Sequence, residues 1–311
     1  PMMSGVIIRS ILVPTPMVNK PHPLPDADFA LSGLNVLRLS GRDALAFAQA
    51  QFMNDVSTLA DGQWQWSGWL TPKGRLVALF ALLRRDAQTL DLVLHDADPT
   101  LFADALKRFV FRSKVAIVMA SAPVTGRFAA PVAARGAQAA FDGQAVELDL
   151  GVPSQPRTLC LQPDAPDATT TTAADAAPQP NVEADAHWRA IDLAHGLPRL
   201  AASEFDRWTP QQLSLDRLQA YSVKKGCYPG QEIVARTHFL GQSKRGLVAL
   251  HGASTAQAGQ DVAADGAPVG RIVAVSTQVQ LAVLPLDLGP ASLAVDAHPV
   301  TTVALRDGLA R

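Results

Sequence analysis

Lys225-Gly226-Cys227-Tyr228-Pro229-Gly230-Gln231-Glu232 is the densest run of chemically distinctive residues in the chain. Lys224 precedes it, and Arg236, Lys244 and Arg245 follow, so the stretch from Tyr221 to Gly246 holds five basic residues and one acid. Gly226 and Gly230 are expected to allow positive φ and a close backbone approach. Tyr228 offers a flat ring and a hydroxyl, and Gln231 and Glu232 can make paired hydrogen bonds to the edge of a heterocycle. Neighbouring cations favour the thiolate of Cys227 and would make it more nucleophilic. Together these residues describe a pocket for an anionic ligand with an aromatic head. The plain alternative is a basic turn around an ordinary buried thiol.

The rest of the chain is quieter. It has 311 residues, 48% of them hydrophobic, and a net charge of −1. That length predicts two or three domains. The near-neutral charge argues against broad nucleic-acid binding, although a local basic patch is compatible with it. No apolar run is long enough to span a bilayer; the longest, Leu76 to Leu83, stops at Arg84-Arg85. Two cysteines, Cys160 and Cys227, form neither a disulfide framework nor a CxxC motif, so a reducing cytoplasm is the expected compartment.

Residues 1–27 form a proline-rich arm, with five prolines between positions 14 and 27. A strand is expected through Asn35–Leu39, then a helix capped by Ser40 or Asp43 with Leu45, Phe47, Ala48 and Phe52 on one face. Trp64, Trp66 and Trp69 lead into the turn Thr71-Pro72-Lys73-Gly74-Arg75 and a second strand. Core packing is the favoured role for these tryptophans over a stacking platform. Leu90–His95 reads as a strand, and Asp98–Val110 as an amphipathic helix with Leu101, Ala105, Leu106 and Phe109 facing inward. Residues 163–186, built of Ala, Pro, Thr and acids, read as a mobile insertion. The last seventy or so residues show short strands broken by Gly, the pattern of a small antiparallel barrel.

The seven histidines show no metal spacing, so no metal site is expected, and one cysteine cannot hold an iron–sulfur cluster by itself. There is no phosphate-binding glycine loop. Cys160, in the apolar run Arg157-Thr158-Leu159-Cys160-Leu161, reads as an inert buried thiol.

The run from Lys225 to Glu232 resembles the K-G-C-Y-x-G-Q-E signature of the YgfZ family. Other pieces follow in the same order. Ser40-Gly41-Arg42-Asp43-Ala44 and Gln51-Phe52-Met53-Asn54-Asp55-Val56 resemble the family's first helix and its Q-x-x-x-D-V end. Thr71–Arg75 resembles its hairpin turn, Gly196-Leu197-Pro198 its G-x-P, and Gly241-Gln242-Ser243-Lys244-Arg245 its G-x-x-K-R. The resemblance implies an α+β, three-domain fold like the aminomethyltransferase (T-protein) of the glycine cleavage system, ending in an antiparallel β-barrel. It implies a discontinuous folate-binding domain over 28–75 with 188–240, a second α+β domain over 76–187, and a barrel over 241–311.

The same resemblance implies tetrahydrofolate, or a derivative, as ligand. Iron–sulfur proteins or their assembly factors would be the partners, and tRNA modification would be affected indirectly, with no direct nucleic-acid or membrane contact. Lys225, Gly226, Tyr228, Gly230, Gln231, Glu232, Arg236 and Arg245 would form the folate site, with Arg236 or Arg245, helped by Lys225, near the two carboxylates of the glutamate tail. Cys227 would be the reactive group. Tetrahydrofolate-dependent aminomethyl or methyl transfer is the alternative, and a scaffold without chemistry a third reading. T-proteins carry an N-A-x-N-x-x-K-D-like stretch whose Asp assists transfer. Here the matching region reads His95-Asp96-Ala97-Asp98-Pro99-Thr100-Leu101-Phe102, which keeps Asp96 and Asp98 as acids, with the expected Asp position falling near Phe102, and residues 124–150 carry no acidic folate-gripping motif.

Overall fold

The structure is a computed structural model that describes residues 27–121, 123–163, 178–241 and 243–311. The expected proline-rich arm and most of the expected insertion lie outside these residues. In chain order the elements are β1 (Phe29–Ala30), β2 (Leu34–Ser40), α1 (Ala44–Gln51), the hairpin β3 (Trp64–Leu70) and β4 (Leu76–Asp86), β5 (Thr89–His95), α2 (Pro99–Lys107) and β6 (Ala116–Met119). β7 (Val124–Arg127), β8 (Ala140–Asp142), β9 (Ala145–Asp149) and β10 (Thr158–Leu161) follow, then α3 (Val182–Ala194) and α4 (Gln231–Phe239). The chain ends in β11 (Arg245–His251), β12 (Asp261–Ala264), β13 (Ala267–Val275), β14 (Gln280–Pro285), β15 (Leu293–Val295) and β16 (His298–Val303).

These strands build two antiparallel sheets, ordered β3-β4-β5-β2-β6 and β1-β7-β10-β9-β8, and a closed barrel ordered β11-β14-β13-β12-β15-β16. The antiparallel barrel stands where the glycine-punctuated strands place it. The expected domain boundary between residues 75 and 76 does not match the sheets: it falls in the turn of the β3–β4 hairpin, whose strands pair from Trp64↔Leu83 to Leu70↔Leu76. The first sheet therefore runs on to β6, and the second begins at β7. The expected insertion also reaches too far, because α3 starts at Val182, capped by the side chain of Asn181, which accepts from the Ala184 amide.

Side-chain alternation in the hairpin explains its tryptophans. Trp64 and Trp66 point to one face of the sheet and join a core shared with Trp188 and the barrel residues Leu247 and Val283. Trp69, on the opposite parity, joins the other core beside Phe80 and Phe102 under α1 and α2. All three are buried (1%, 0% and 6% exposed), so the core role holds and a stacking platform does not. Alternation likewise splits β4, sending Leu79, Ala81 and Leu83 one way and Ala78, Phe80 and Leu82 the other.

Two local expectations change. Asp43 stands at the start of α1 without a side-chain cap, since its carboxylate accepts the Lys114 amide at 2.6 Å instead. On α2 the buried side chains are Phe102, Ala103 and Leu106, whereas Leu101 is 70% and Phe109 46% exposed. Asp98 caps α2 by accepting from the Thr100 and Leu101 amides, both at 2.9 Å. Among the described residues no helix is long and apolar enough to cross a membrane.

His95, at the end of β5, is buried with its ring edge-on to Trp66 at 5.3 Å and its Nδ1 on the Val93 carbonyl at 3.1 Å. Burial, helped by the charge of Arg199, lowers its pKa to about 4. The unfolded chain takes up a proton at this residue near pH 6.5, the folded chain only near pH 4. Its contribution to stability is therefore complete above pH 6.5 and is lost as pH falls across that window, by about 1.4 kcal/mol per pH unit. Denaturant titrations between about pH 7 and about pH 5 should show this loss, and His95→Gln should flatten it. An unchanged slope in the variant would refute the assignment.

Candidate functional site

The signature loop is pinned to the hairpin turn by two glycines. Gly230 (φ +81°) begins α4, and a Cβ there would stand 2.6 Å from the Thr71 carbonyl and 2.7 Å from the Gly74 Cα. Gly74 (φ +69°) faces Ile233 just as closely, at 2.7 Å. Both motifs need glycine because their backbones touch. Gly226 differs from the expectation: its φ lies outside the left-handed region, and a Cβ there would meet open space.

Inside the loop the polar groups are mutually satisfied. The Ser222 amide donates to the Met53 carbonyl at 2.9 Å, and the Ser222 hydroxyl accepts the Lys224 and Lys225 amides, each at 3.2 Å. The Gln231 side-chain amide donates to the Lys225 carbonyl at 2.9 Å, so it closes the loop and is not turned to a ligand edge. Tyr228 is buried with its hydroxyl 3.4 Å from the Ser222 carbonyl, and burial raises its pKa. Glu232 is exposed in the first turn of α4, where its charge suits the helix dipole.

Lys225 is 5% exposed and turned inward. Its ammonium donates to the carbonyls of Gln49 (2.6 Å), Phe52 (2.5 Å) and Asn54 (3.2 Å), at the end of α1, and lies 4.8 Å from the centre of the Tyr228 ring. Three donors meet three acceptors that the helix end leaves unpaired. Burial lowers the pKa of Lys225 to about 8, and Asp55 pulls the other way. The expected contact between Lys225 and a ligand anion is thus replaced by a grip on α1. Asp55 itself is held below the usual carboxylate range by the Ser57 hydroxyl, and further by Gln49, the Ser57 amide and Lys225, against burial.

The grip leaves Cys227 exposed on the outside of the loop, with Lys224 exposed beside it. Arg236 is exposed on α4, next to a shallow depression of about 420 Å³ lined by Arg236, Thr237, Leu240 and Gly241. Arg245 is half-buried, and its guanidinium donates to the Val269 carbonyl at 2.9 Å, which ties the start of β11 to β13. Cys160 is buried between β7 and β9, and burial raises its thiol to about 11.

Sequence reasoning missed Asn54. Its amide donates to the carbonyls of Trp66 (2.8 Å) and Gln219 (2.7 Å), joining the hairpin to the segment before the signature. The signal was present, since Asn54 lies inside the Gln51–Val56 motif next to the Asp that drew attention.

Both carboxylates of the His95–Phe102 stretch have partners within the fold. Burial alone would raise Asp96, but Arg199 and Arg189 outweigh it and hold the carboxylate ionised, at 2.8 and 3.1 Å. Asp98 caps α2. Phe102 packs edge-on to Trp69 and Phe80. A cavity of about 550 Å³ lies against this stretch and Phe205, and Cys227 does not line it. Among the described residues no group of three or more His, Cys, Asp or Glu could hold a metal ion.

No family model matches the chain. It is 31% identical over 230 residues to the tRNA-modifying protein YgfZ of Edwardsiella ictaluri, covering 70% of this chain and 69% of that protein. It is 29% identical over 259 residues to the protein of the same name from Aliivibrio fischeri, covering 80% and 79%. Among solved structures, the glycine cleavage system aminomethyltransferase T of Bartonella henselae superposes with a TM-score of 0.67, at 13% identity, over 89% of this chain and 85% of that one. That likeness establishes the aminomethyltransferase fold.

Lys225→Met should leave three carbonyls without a donor and lower stability by about 2–4 kcal/mol. Cys227→Ser, at an exposed position, should change stability by less than about 0.5 kcal/mol. Denaturant unfolding measures both, and equal stabilities would show that the grip is unimportant. Iodoacetamide near neutral pH should label Cys227 promptly and Cys160 only on unfolding, as read by peptide mass spectrometry.

Proposed function

The chain belongs to the YgfZ family, and from that membership we propose that it binds tetrahydrofolate or a derivative and acts in the assembly or repair of iron–sulfur proteins. The observation that carries the reading is the exposed Cys227 on a loop locked by the Lys225 grip. A reachable thiol on a fixed backbone suits transient capture of iron, sulfur or a carbon unit. Its partners would be iron–sulfur proteins or their assembly factors, in a bacterial cytoplasm. Effects on tRNA modification would follow from the state of cluster-dependent enzymes.

The donor set suits a folate in part. The exposed fork of Arg236, beside its shallow depression, matches a carboxylate of the glutamate tail. Lys225 does not, because its donors are already taken. Bound tetrahydrofolate would supply a carrier for one-carbon units. Aminomethyl transfer of the T-protein kind gains no support, since Asp96 is held by two arginines and Phe102 is apolar.

Calorimetry should show tetrahydrofolate binding that Arg236→Ala weakens about tenfold. Absence of binding at millimolar ligand would remove the folate half of the reading. In cells lacking the protein, Cys227→Ser should fold but fail to restore iron–sulfur enzyme activity. Full restoration would mean that the sulfur has no chemical role.

A further inference from the structure

After α2 the chain reads Lys107-Arg108-Phe109-Val110-Phe111-Arg112-Ser113-Lys114. It has four cations, no acid and two aromatic rings within eight residues of a nearly neutral protein. The structure turns this segment outward. Phe111 is 84% and Phe109 46% exposed, and Arg108, Arg112 and Lys114 are exposed as well. Phe109 keeps its inner edge against Trp69 at 5.6 Å, which leaves Phe111 as the free ring. Apolar side chains of this size are normally removed from water, so an exposed ring within a charged run marks an interaction surface.

The segment is held firmly. Consecutive tight turns follow α2, with the Phe109 amide on the Leu106 carbonyl at 3.0 Å and the Phe111 amide on the Phe109 carbonyl at 3.1 Å. Asp43 then clamps Lys114, accepting its amide at 2.6 Å, while the Asp43 amide donates to the Lys114 carbonyl at 3.3 Å. The clamp brings Arg42 to the same surface. The nearby acids are occupied: Asp43 also pairs with Arg42 at 3.5 Å and Asp104 with Lys107 at 3.2 Å. The outward positive charge is therefore carried by Arg108, Arg112 and Lys114. The Arg112 guanidinium lies over the Phe111 ring, 5.3 Å from its centre, and both are exposed.

We propose that this surface binds an unpaired RNA segment, with a base stacked on Phe111 and Arg112 and neighbouring phosphates on Arg108 and Lys114. Charge selects a polyanion, and the ring selects one with accessible base faces, which single strands and loops offer and duplexes do not. The net charge of −1 is no obstacle, because the basic footprint is confined to this one segment. The surface is separate from the thiol loop. It lies at the start of α1, whose other end Lys225 grips, about 12 Å away along the helix. The proposal is independent of folate.

The test is fluorescence anisotropy of a labelled single-stranded RNA and of a tRNA transcript, titrated with the full chain at several salt concentrations. Binding should weaken with salt with a log–log slope of about 2. Phe111→Ala should weaken it at least about fivefold without lowering the melting temperature, since the ring is exposed. Arg112→Ala with Lys114→Ala should reduce the salt slope by about 1. Duplex RNA should compete poorly. Absence of binding at low salt would overturn the proposal. So would equal binding of heparin, polyglutamate or phosphatidylserine vesicles that Phe111→Ala leaves unchanged, which would mark a surface for acidic protein or lipid.

Discussion

The carboxylate of Asp192, fully buried, lies between two guanidiniums, Arg157 at 2.8 Å and Arg199 at 3.0 Å. Arg199 also reaches Asp96, and Arg189 reaches Asp96 from α3. This chain of charges joins the approach to β10, helix α3, the turn after Gly196-Leu197-Pro198 and the end of β5. Each buried ion carries a desolvation cost of several kcal/mol, so such a network is tolerable only when complete, and losing one partner costs about 3–5 kcal/mol. Arg157 is the extreme member. It is fully buried, its Nε and one Nη have no partner, and it stacks 4.5 Å from the centre of the Trp188 ring. The two sheets and α3 are thereby fixed in a single arrangement, and Asp96 is removed from any role in proton transfer.

The same economy governs the signature. In sequence it is a cluster of positive charge, which suggests an anion site. In the structure the charges are divided. Lys225 completes the end of α1, Arg245 ties two barrel strands, and Lys224 and Arg236 remain outside. A helix terminus leaves carbonyls unpaired, and a buried ammonium with three donors is the natural complement. The basic residue with the strongest motif character is thus structural, and what it positions is the neighbouring thiol.

Much of the fold was legible because it rests on local patterns. Alternating Trp64 and Trp66, the Pro–Gly turn at 72–74 and the glycine-punctuated end of the chain give the hairpin and the barrel directly. The split of the first two sheets was not legible. Whether β4 pairs with β3 or starts a new domain depends on contacts far apart in sequence, and the turn between them looks the same in either case. The face of α2 was misread because apolar residues lie around most of the helix, and packing against Trp69 and Phe80 puts Phe102 rather than Leu101 inward. In the candidate site, the close approach at Gly230 was legible from glycine chemistry, and Cys227 and Arg236 are exposed. Lys225 and Gln231 were read as ligand contacts because a sequence shows which groups are polar, not which backbone atoms await them.

Phe102 bears on chemistry as well as packing. A T-protein scaffold persists here at 13% identity to a solved aminomethyltransferase, with the sheets and barrel in place. A fold retained at that distance constrains shape and leaves function to the site. Phe102 fills its place by packing against Trp69 and Phe80 in the core under α2, and a carboxylate there would be buried without a partner. A carboxylate therefore cannot be placed at Phe102 by a single change without unpacking that core. Nor can Asp96 serve in its stead while two arginines hold it ionised. The exposed group that the signature loop offers to solvent is a sulfur, and the proposed role in iron–sulfur maturation rests on that thiol being held in place.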